Sequence, residues 1–386
     1  MDENLKRLAE VLSRIKPLLL TALLFIQTTL PVYSSGNKHH APLTVRVFEG
    51  EKVLISSPGG FRLEPLERGR RKNFGLEWVE FFMEDSSLRT DEETFQAGAY
   101  ISPKLEPLAV NGRSYRGNLI LIPLDGKVRV INEVEVEDYL RGVLPVEVHP
   151  EWPLEALKVQ AVVSRTYVYN NIGKNADKGF DLTDDVFSQV YRGKDVETEN
   201  TDRAVKETRG QLIYLDGAPI PSYFFSCCGG HTEDVRKVWS GSFSHMEGVE
   251  CIYCADSPRY SWSFTISPEE ISDRLKSAGY FAGDILDIKL ISRTNSGRID
   301  LMELKTSTGT LSITGHQFRM ALGPDNLKSA LFAIDRSAPD YNFYGRGWGH
   351  GVGICQWGSR GLADQGAGFK EILKFYLPGI DIRRIH

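Results

Sequence analysis

The sequence predicts a mixed α+β fold, a β-rich unit with a few short helices flanking a cleft. Three observations predict it. From Pro42 to about Val110, short runs alternate apolar and polar residues and are broken by turn residues, the pattern of half-buried strands. Asn118–Pro123 and Lys127–Ile131 are apolar runs on either side of Asp125-Gly126. That is a hairpin signal, because glycine accepts positive φ in a two-residue turn. From Pro153 the period changes from two to that of a helix.

The elements are expected in the following order. Lys6, Arg7, Arg14 and Lys16 precede the dense apolar run Leu18–Ile26, and Ser34, Ser35 and Gly36 follow it. Residues 1–36 therefore read as a signal peptide or short membrane anchor, with a buried amphipathic helix as the competing reading. No A-x-A site decides between cleavage and retention. Either form of the first reading implies export, to the periplasm or the outer face of the cytoplasmic membrane. Residues 42–115 form a β-rich N-terminal region, with strands at Leu43–Phe48 and Val53–Ser56 around a turn at Glu49-Gly50-Glu51-Lys52. Arg68-Gly69-Arg70-Arg71-Lys72 reads as a solvated basic loop. Residues 116–386 form the larger domain. After the hairpin, a strand-like run leads into a turn bracketed by Pro145, Pro150 and Pro153.

A helix starts at Pro153, where the missing N–H costs nothing. Leu154, Leu157, Ala161, Ser164 and Val168 share one arc of it, and Arg165 lies beside that arc. A guanidinium there either reaches solvent or clamps a carboxylate or backbone inside, because an unpaired buried charge is very costly. Ala204–Thr208 and Phe369–Tyr376 read as further helices, as does Pro268–Ala278 with Ser267 as its cap. Gln211–Tyr214, Ser222–Ser226, Asp284–Arg293 and Asp300–Thr306 read as strands.

Composition narrows the function classes. The chain has 386 residues, 46 Lys+Arg against 51 Asp+Glu, 41% hydrophobic and 25% charged residues. That excludes a collagen-like, wholly disordered or polytopic membrane protein. It offers no basic surplus for a nucleic-acid partner.

Three constellations could carry chemistry. Glu147 sits in the proline-bracketed turn between Val146 and Val148, apolar neighbours that would raise its pKa and make it a general acid, unless it is an ordinary surface carboxylate. The run Gly345-Arg346-Gly347-Trp348-Gly349-His350-Gly351-Val352-Gly353-Ile354-Cys355-Gln356-Trp357-Gly358 alternates glycine. It has neither the dinucleotide fingerprint nor the P-loop spacing. It reads as a loop that approaches a sugar, with Trp348 and Trp357 stacking and His350 and Gln356 holding hydroxyls, or as a tightly packed structural loop. Four of the five cysteines lie in Cys227-Cys228-Gly229-Gly230-His231 and Cys251-Ile252-Tyr253-Cys254. Cys228, Cys251 and Cys254 with either His231 or Cys227 could hold a structural zinc, or the cysteines could form disulfides or stay free thiols. Cys355 reads as a buried small residue.

These blocks together resemble the SpoIID/LytB domain family, the stage II sporulation protein D-like lytic transglycosylases. Glu137–Glu147 resembles its "EYL-GV-P-EM" block and Trp152–Tyr167 its "LEALKAQAVAARTYA" helix. Ser188–Gly193 resembles "CQVYRG", Ser226–Glu233 resembles "ST-GG-TE", and Gly345–Gly358 resembles "GRGWGHGVGMSQWG". The resemblance runs from about Arg116 to Ile385. It implies that residues 116–386 are a catalytic domain with Glu147 as the catalytic acid. The implied reaction cleaves the bond between N-acetylmuramic acid and N-acetylglucosamine in glycan strands without stem peptides and leaves 1,6-anhydro ends. Arg165, Gln189, Ser226, His350, Gln356, Trp348 and Trp357 are then expected to line the cleft. Catalysis needs no cofactor. The implied partners are peptidoglycan glycan strands and a cell-wall amidase, with membrane contact only through the N-terminal segment. Relatives described as amidase modifiers supply the alternative, a non-catalytic glycan-binding activator of an amidase. Some members hold zinc just before and within the "CQVY" block. Asp181–Ser188 contains neither Cys nor His, so that site is absent here.

Overall fold

Strands dominate the first third of the chain, and they pair across residue 115. The computed structural model describes residues 42–67, 72–74, 77–239, 246–280, 283–337 and 339–385. The expected export segment and Arg68–Arg71 lie outside the described residues. The early strands are β1 (Leu43–Gly50), β2 (Lys52–Ser56), β3 (Phe61–Pro65), β4 (Lys72–Phe74), β5 (Trp78–Glu84) and β6 (Ser87–Arg89). They continue as β7 (Thr94–Phe95), β8 (Ala99–Pro103), β9 (Leu108–Val110), β10 (Arg113–Tyr115), β11 (Asn118–Leu124) and β12 (Lys127–Val134). With β13 (Leu182–Thr183) they build a seven-stranded sheet, β13-β1-β12-β11-β8-β3-β4, and a six-stranded sheet, β10-β9-β2-β5-β6-β7. Leu43 pairs with Val134 and Leu119 with Ile101, so residues 42–134 share one β framework. Inward residues such as Val45, Ile55, Phe81, Ile101, Leu121 and Val130 fill its core. Asp125 (φ 50°) and Gly126 (φ 75°) make the expected tight turn between β11 and β12.

The stretch after the hairpin differs from expectation. It is a helix, α1 (Val136–Glu147), not a strand-like run and turn. Val136, Tyr139, Leu140, Val143 and Leu144 are buried at helical spacing. Pro145 lies in the last turn, where its missing N–H removes only one bond and helps stop the helix. Next comes α2 (Leu154–Asn171), capped at Pro153 as expected. It is not amphipathic, being buried on nearly every side. Leu157, Ala161 and Val168 face the β core, and Val159, Val162 and Val163 face a second core. This helix is the spine shared by both cores.

The remaining elements follow the expected order. They are α3 (Glu199–Glu207), β14 (Gln211–Leu215), β15 (Ala218–Pro219), β16 (Phe224–Phe225), β17 (Ser261–Ile266) and α4 (Pro268–Ser277). The Ser267 side chain caps α4, accepting the Glu270 amide at 3.2 Å. Then come β18 (Ile285–Arg293), β19 (Ile299–Thr306), β20 (Gly309–Ile313), α5 (Gly315–Leu322), β21 (Phe332–Ser337) and β22 (Asp340–Arg346). The sheets β17-β22-β21 and β18-β19-β20 enclose a third core with Ile271, Met302, Phe318 and Phe343. The chain ends with β23 (Ile354–Cys355), α6 (Gln356–Asp364), α7 (Phe369–Tyr376) and β24 (Asp381–Arg384). Strand β23 runs parallel to β16, which brings the chain back beside α2. The fold is α+β, as the sequence predicts. Among the described residues no helix is long and apolar enough to cross a membrane.

Candidate active site

Glu147 ends α1, and its half-buried side chain turns towards the segment before α3. Its Oε1 accepts the Val190 amide at 3.1 Å. Burial pushes its pKa above the ordinary carboxylate value, and the Val190 hydrogen bond opposes this. Neither a cation nor a second carboxylate contributes to the shift. A carboxyl in this setting can hold a proton and give it up.

The backbone of this turn is braced from far along the chain. Gln356, the first residue of α6, donates from Nε2 to the Glu147 carbonyl at 3.2 Å and to Gln160 Oε1 at 3.3 Å. Gln160 in turn donates to Ser164 Oγ at 3.1 Å, one turn along α2. Gln189, adjacent to Val190, is buried, and neither polar atom of its amide has a partner among the described residues. Such a group costs roughly 1–3 kcal/mol unless something meets it. Val146, Val186 and Phe187 are exposed at 40%, 80% and 85%, an apolar rim on the two segments that meet at Glu147. Trp357 packs edge-on against Trp152 with centroids 5.1 Å apart, and the Arg360 guanidinium lies 4.9 Å from the Trp357 ring.

The glycine-rich loop is closed on the protein. Gly347, Gly349, Gly351 and Gly353 all have positive φ, which explains the alternation. A Cβ on Gly347 would meet the Cys227 carbonyl at 2.7 Å, and one on Gly351 would meet the Arg298 guanidinium at 2.7 Å. The side that glycine leaves open is thus filled by protein, so the packed-loop reading holds for these positions. His350 is a staple of this packing. Its Nδ1 accepts the Val352 amide at 3.1 Å and its Nε2 donates to the Phe224 carbonyl at 3.0 Å. Burial pushes its pKa down to about 3, so it is neutral with both nitrogens engaged. That corrects its expected place among hydroxyl-holding cleft residues. Trp348 has Lys328 Nζ at 3.9 Å and the Arg259 guanidinium at 4.6 Å from its ring, and Arg259 also donates to Ser226 Oγ at 3.1 Å.

Arg165 is a clamp, and its expected cleft role is likewise corrected. It is fully buried and forms a two-point ion pair with Glu137, Nε–Oε1 2.9 Å and Nη2–Oε2 2.8 Å. Its remaining donors reach the Val205 and Gln211 carbonyls at 3.3 Å, tying α1 and α2 to the α3–β14 segment.

The cysteines also regroup. Cys228, Cys251, Cys254 and Cys355 are buried, with all four Sγ atoms within 4.8 Å of one another. No disulfide joins any two of the five cysteines. Cys355 thus joins the cluster and is no bystander. His231 is outside it, its Nδ1 lying 2.6 Å from the Thr232 carbonyl.

The stage II sporulation protein (SpoIID) family model matches residues 124–214, the stretch that holds α1, α2, Glu147 and Val190. A 27% identity over 267 residues relates the chain to the stage II sporulation protein D of Bacillus subtilis, covering 65% of this chain and 75% of that protein. The chain belongs to the SpoIID family. An uncharacterized protein of Brachyspira hyodysenteriae is 37% identical over 274 residues, 71% of this chain and 73% of that protein. The amidase enhancer of Bacillus subtilis is 27% identical over 288 residues, 62% of this chain and 39% of that protein. A domain family of unknown function matches residues 248–353, which include the third core.

Of the residues singled out in the sequence, Glu147, Gln189, Gln356 and, through Trp152, Trp357 gather at the SpoIID segment. Ser226, Trp348 and His350 belong to the packed layer beside it. The sequence reading missed Gln160, Val190, Trp152 and Phe187. Gln160 lies one position before Ala161 of the α2 arc and carries no charge to flag it. Val190 acts through its backbone, which no side-chain pattern reports.

Proposed function

We propose that this protein is a peptidoglycan lytic transglycosylase in which Glu147 serves as acid and then base. The observation that carries the reading is a carboxyl pushed towards its protonated form by burial and held by one amide, with no charged neighbour in its balance. Glu147 protonates the glycosidic oxygen between N-acetylmuramic acid and N-acetylglucosamine, and the C1–O bond breaks with its electron pair going to that oxygen. The carboxylate then takes the proton of the C6 hydroxyl, whose oxygen closes on C1. A 1,6-anhydro end results, no water is consumed, and Glu147 regains its proton. A paired-carboxylate hydrolase would need a second carboxyl about 5–10 Å away.

Proton transfer of this kind supplies roughly 10²–10⁴-fold. Positioning supplies the rest. The unpartnered Gln189 amide can meet sugar hydroxyls or acetamido groups, and Val146, Val186 and Phe187 offer apolar surface to sugar faces. On this reading the substrate is exported glycan without stem peptides, and the protein works outside the cytoplasmic membrane. The test is mass analysis of products from such strands. Anhydro ends from wild type, lost in Glu147→Gln, support the reading. Reducing ends that carry added water reject the chemistry, and undiminished cleavage by Glu147→Gln rejects the residue.

The likeness to an amidase enhancer favours a second reading, a glycan-binding partner that activates a cell-wall amidase. It expects intact glycan, a faster amidase, and equal stimulation by wild type and Glu147→Gln.

A further inference from the structure

We infer that Cys228, Cys251, Cys254 and Cys355 bind one structural zinc ion, and that this ion fixes the start of α6 beside the Glu147 turn. The first observation is convergence. Two ligands come from a Cys-x-x-Cys turn, one from the chain just past β16, and one from the end of β23. Zinc–sulfur bonds of about 2.3 Å set the sulfurs of a tetrahedron about 3.8 Å apart. The four Sγ atoms lie within 4.8 Å of one another, with Cys228 and Cys254 at 3.3 Å. Four mutually close thiols suit one ion better than two separate sulfur–sulfur bonds.

The second observation is the set of donors aimed at sulfur. Cys355 Sγ accepts the Cys228 and Gly358 amides at 3.2 and 3.3 Å, and the Tyr376 hydroxyl lies 3.1 Å from Cys251 Sγ. Hydrogen bonds from outside the ligand set orient and stabilise metal-bound thiolates. The third is charge. Four thiolates around a zinc(II) ion carry a net −2, with four protons released on binding. Arg298 is buried against this layer, donating to the Cys228 and His231 carbonyls, each at 2.8 Å, while its Nε has no partner. Buried Glu233, which shares the Ser296 hydroxyl with it, supplies part of its counter-charge, and the cysteine cluster adds more. Cys355 is followed at once by Gln356, whose amide braces the Glu147 carbonyl.

The set excludes His231 and Cys227, which makes the inference sharp. The full chain, produced with zinc in the medium and purified without chelator, is analysed for metal and for intact mass. One zinc per chain is expected. Cys228→Ser, Cys251→Ser, Cys254→Ser or Cys355→Ser should each cut the zinc content at least about tenfold. Cys227→Ser and His231→Ala should keep it. A zinc-free chain overturns the inference, whether its thiols are free or its mass is lower by two hydrogens per sulfur–sulfur bond. Zinc lost from His231→Ala but kept by Cys355→Ser overturns the ligand set. If the serine variants fail to fold, wild type reloaded with cobalt(II) gives the answer. Intense thiolate-to-cobalt charge transfer and tetrahedral ligand-field bands of a four-sulfur site are expected. A spectrum with nitrogen or oxygen ligands overturns it. Chelator treatment should also lower the thermal midpoint of wild type but not that of a zinc-free serine variant. Equal chelator response in both overturns the structural role.

Discussion

Glu147 and His350 make an instructive pair. Burial drives both towards neutrality, raising the carboxyl and lowering the imidazole. Their hydrogen bonds then separate them. Glu147 takes one amide and keeps its second oxygen outside that bond. His350 has a backbone partner on each ring nitrogen. A perturbed pKa is therefore common to a group poised for proton transfer and to one built into the frame. What distinguishes them is whether a polar atom remains for a substrate.

That comparison can be broken or sharpened by experiment. The largest effect belongs to Glu147→Gln, which should lower turnover on glycan by about 10²–10⁴-fold while the fold persists. Circular dichroism and product counting measure both, and a well-folded variant of near-normal turnover would erase the contrast. Next is Arg165→Met, which strands Glu137 beside a fully buried position and should cost about 3–5 kcal/mol in denaturant unfolding. His350→Phe should cost about 2 kcal/mol, since two backbone groups lose their partner, while activity per folded molecule stays within a few-fold. A collapse of turnover without loss of stability would return His350 to the chemistry. Phe187→Ala should act on KM by only a few-fold, leaving kcat and stability unchanged, because an exposed ring contributes about 1 kcal/mol of contact.

The pH dependence of stability gives opposite signs for the two groups. Glu147 has a raised folded pKa, so its contribution is complete below the unfolded value and is lost as pH rises through the folded one. Glu147→Gln should therefore gain relative stability with rising pH. His350 is lowered to about 3, so its contribution is complete above the ordinary imidazole value and fades as pH falls towards 3. Unfolding midpoints across acid and neutral pH test both. Activity should fall as pH rises through the folded pKa of Glu147, where the acid is lost.

Much of the fold was legible because its signals are local. The Asp125-Gly126 hairpin, the Ser267 cap and the start of α2 at Pro153 each need only a few adjacent residues. Helix α1 was not, since Pro145 and Gly142 mimic a turn although the apolar spacing of Val136 to Leu144 is helical. The environment of α2 was hidden as well, because a single arc cannot reveal a second core on the other side. Glu147 could be singled out from its bracket of prolines and from the motif block that it ends. Its supports could not, since Val190, Gln160 and Gln356 reach it through folding over long distances in sequence. The grouping of the cysteines was hidden for the same reason: spacing put nearby His231 with them, whereas distant Cys355 is the residue that joins them.

The hydrogen bond from Gln356 to the Glu147 carbonyl spans 209 residues, and a second tie, from the Phe369 amide to Glu155, spans 214. A chain made from its N-terminus has α1 and α2 in hand long before either tie can form. In sequence, the whole third core lies between the two halves of this support. A polypeptide cut short anywhere before Gln356 carries Glu147 but not its brace. The brace enters only with the segment that opens α6.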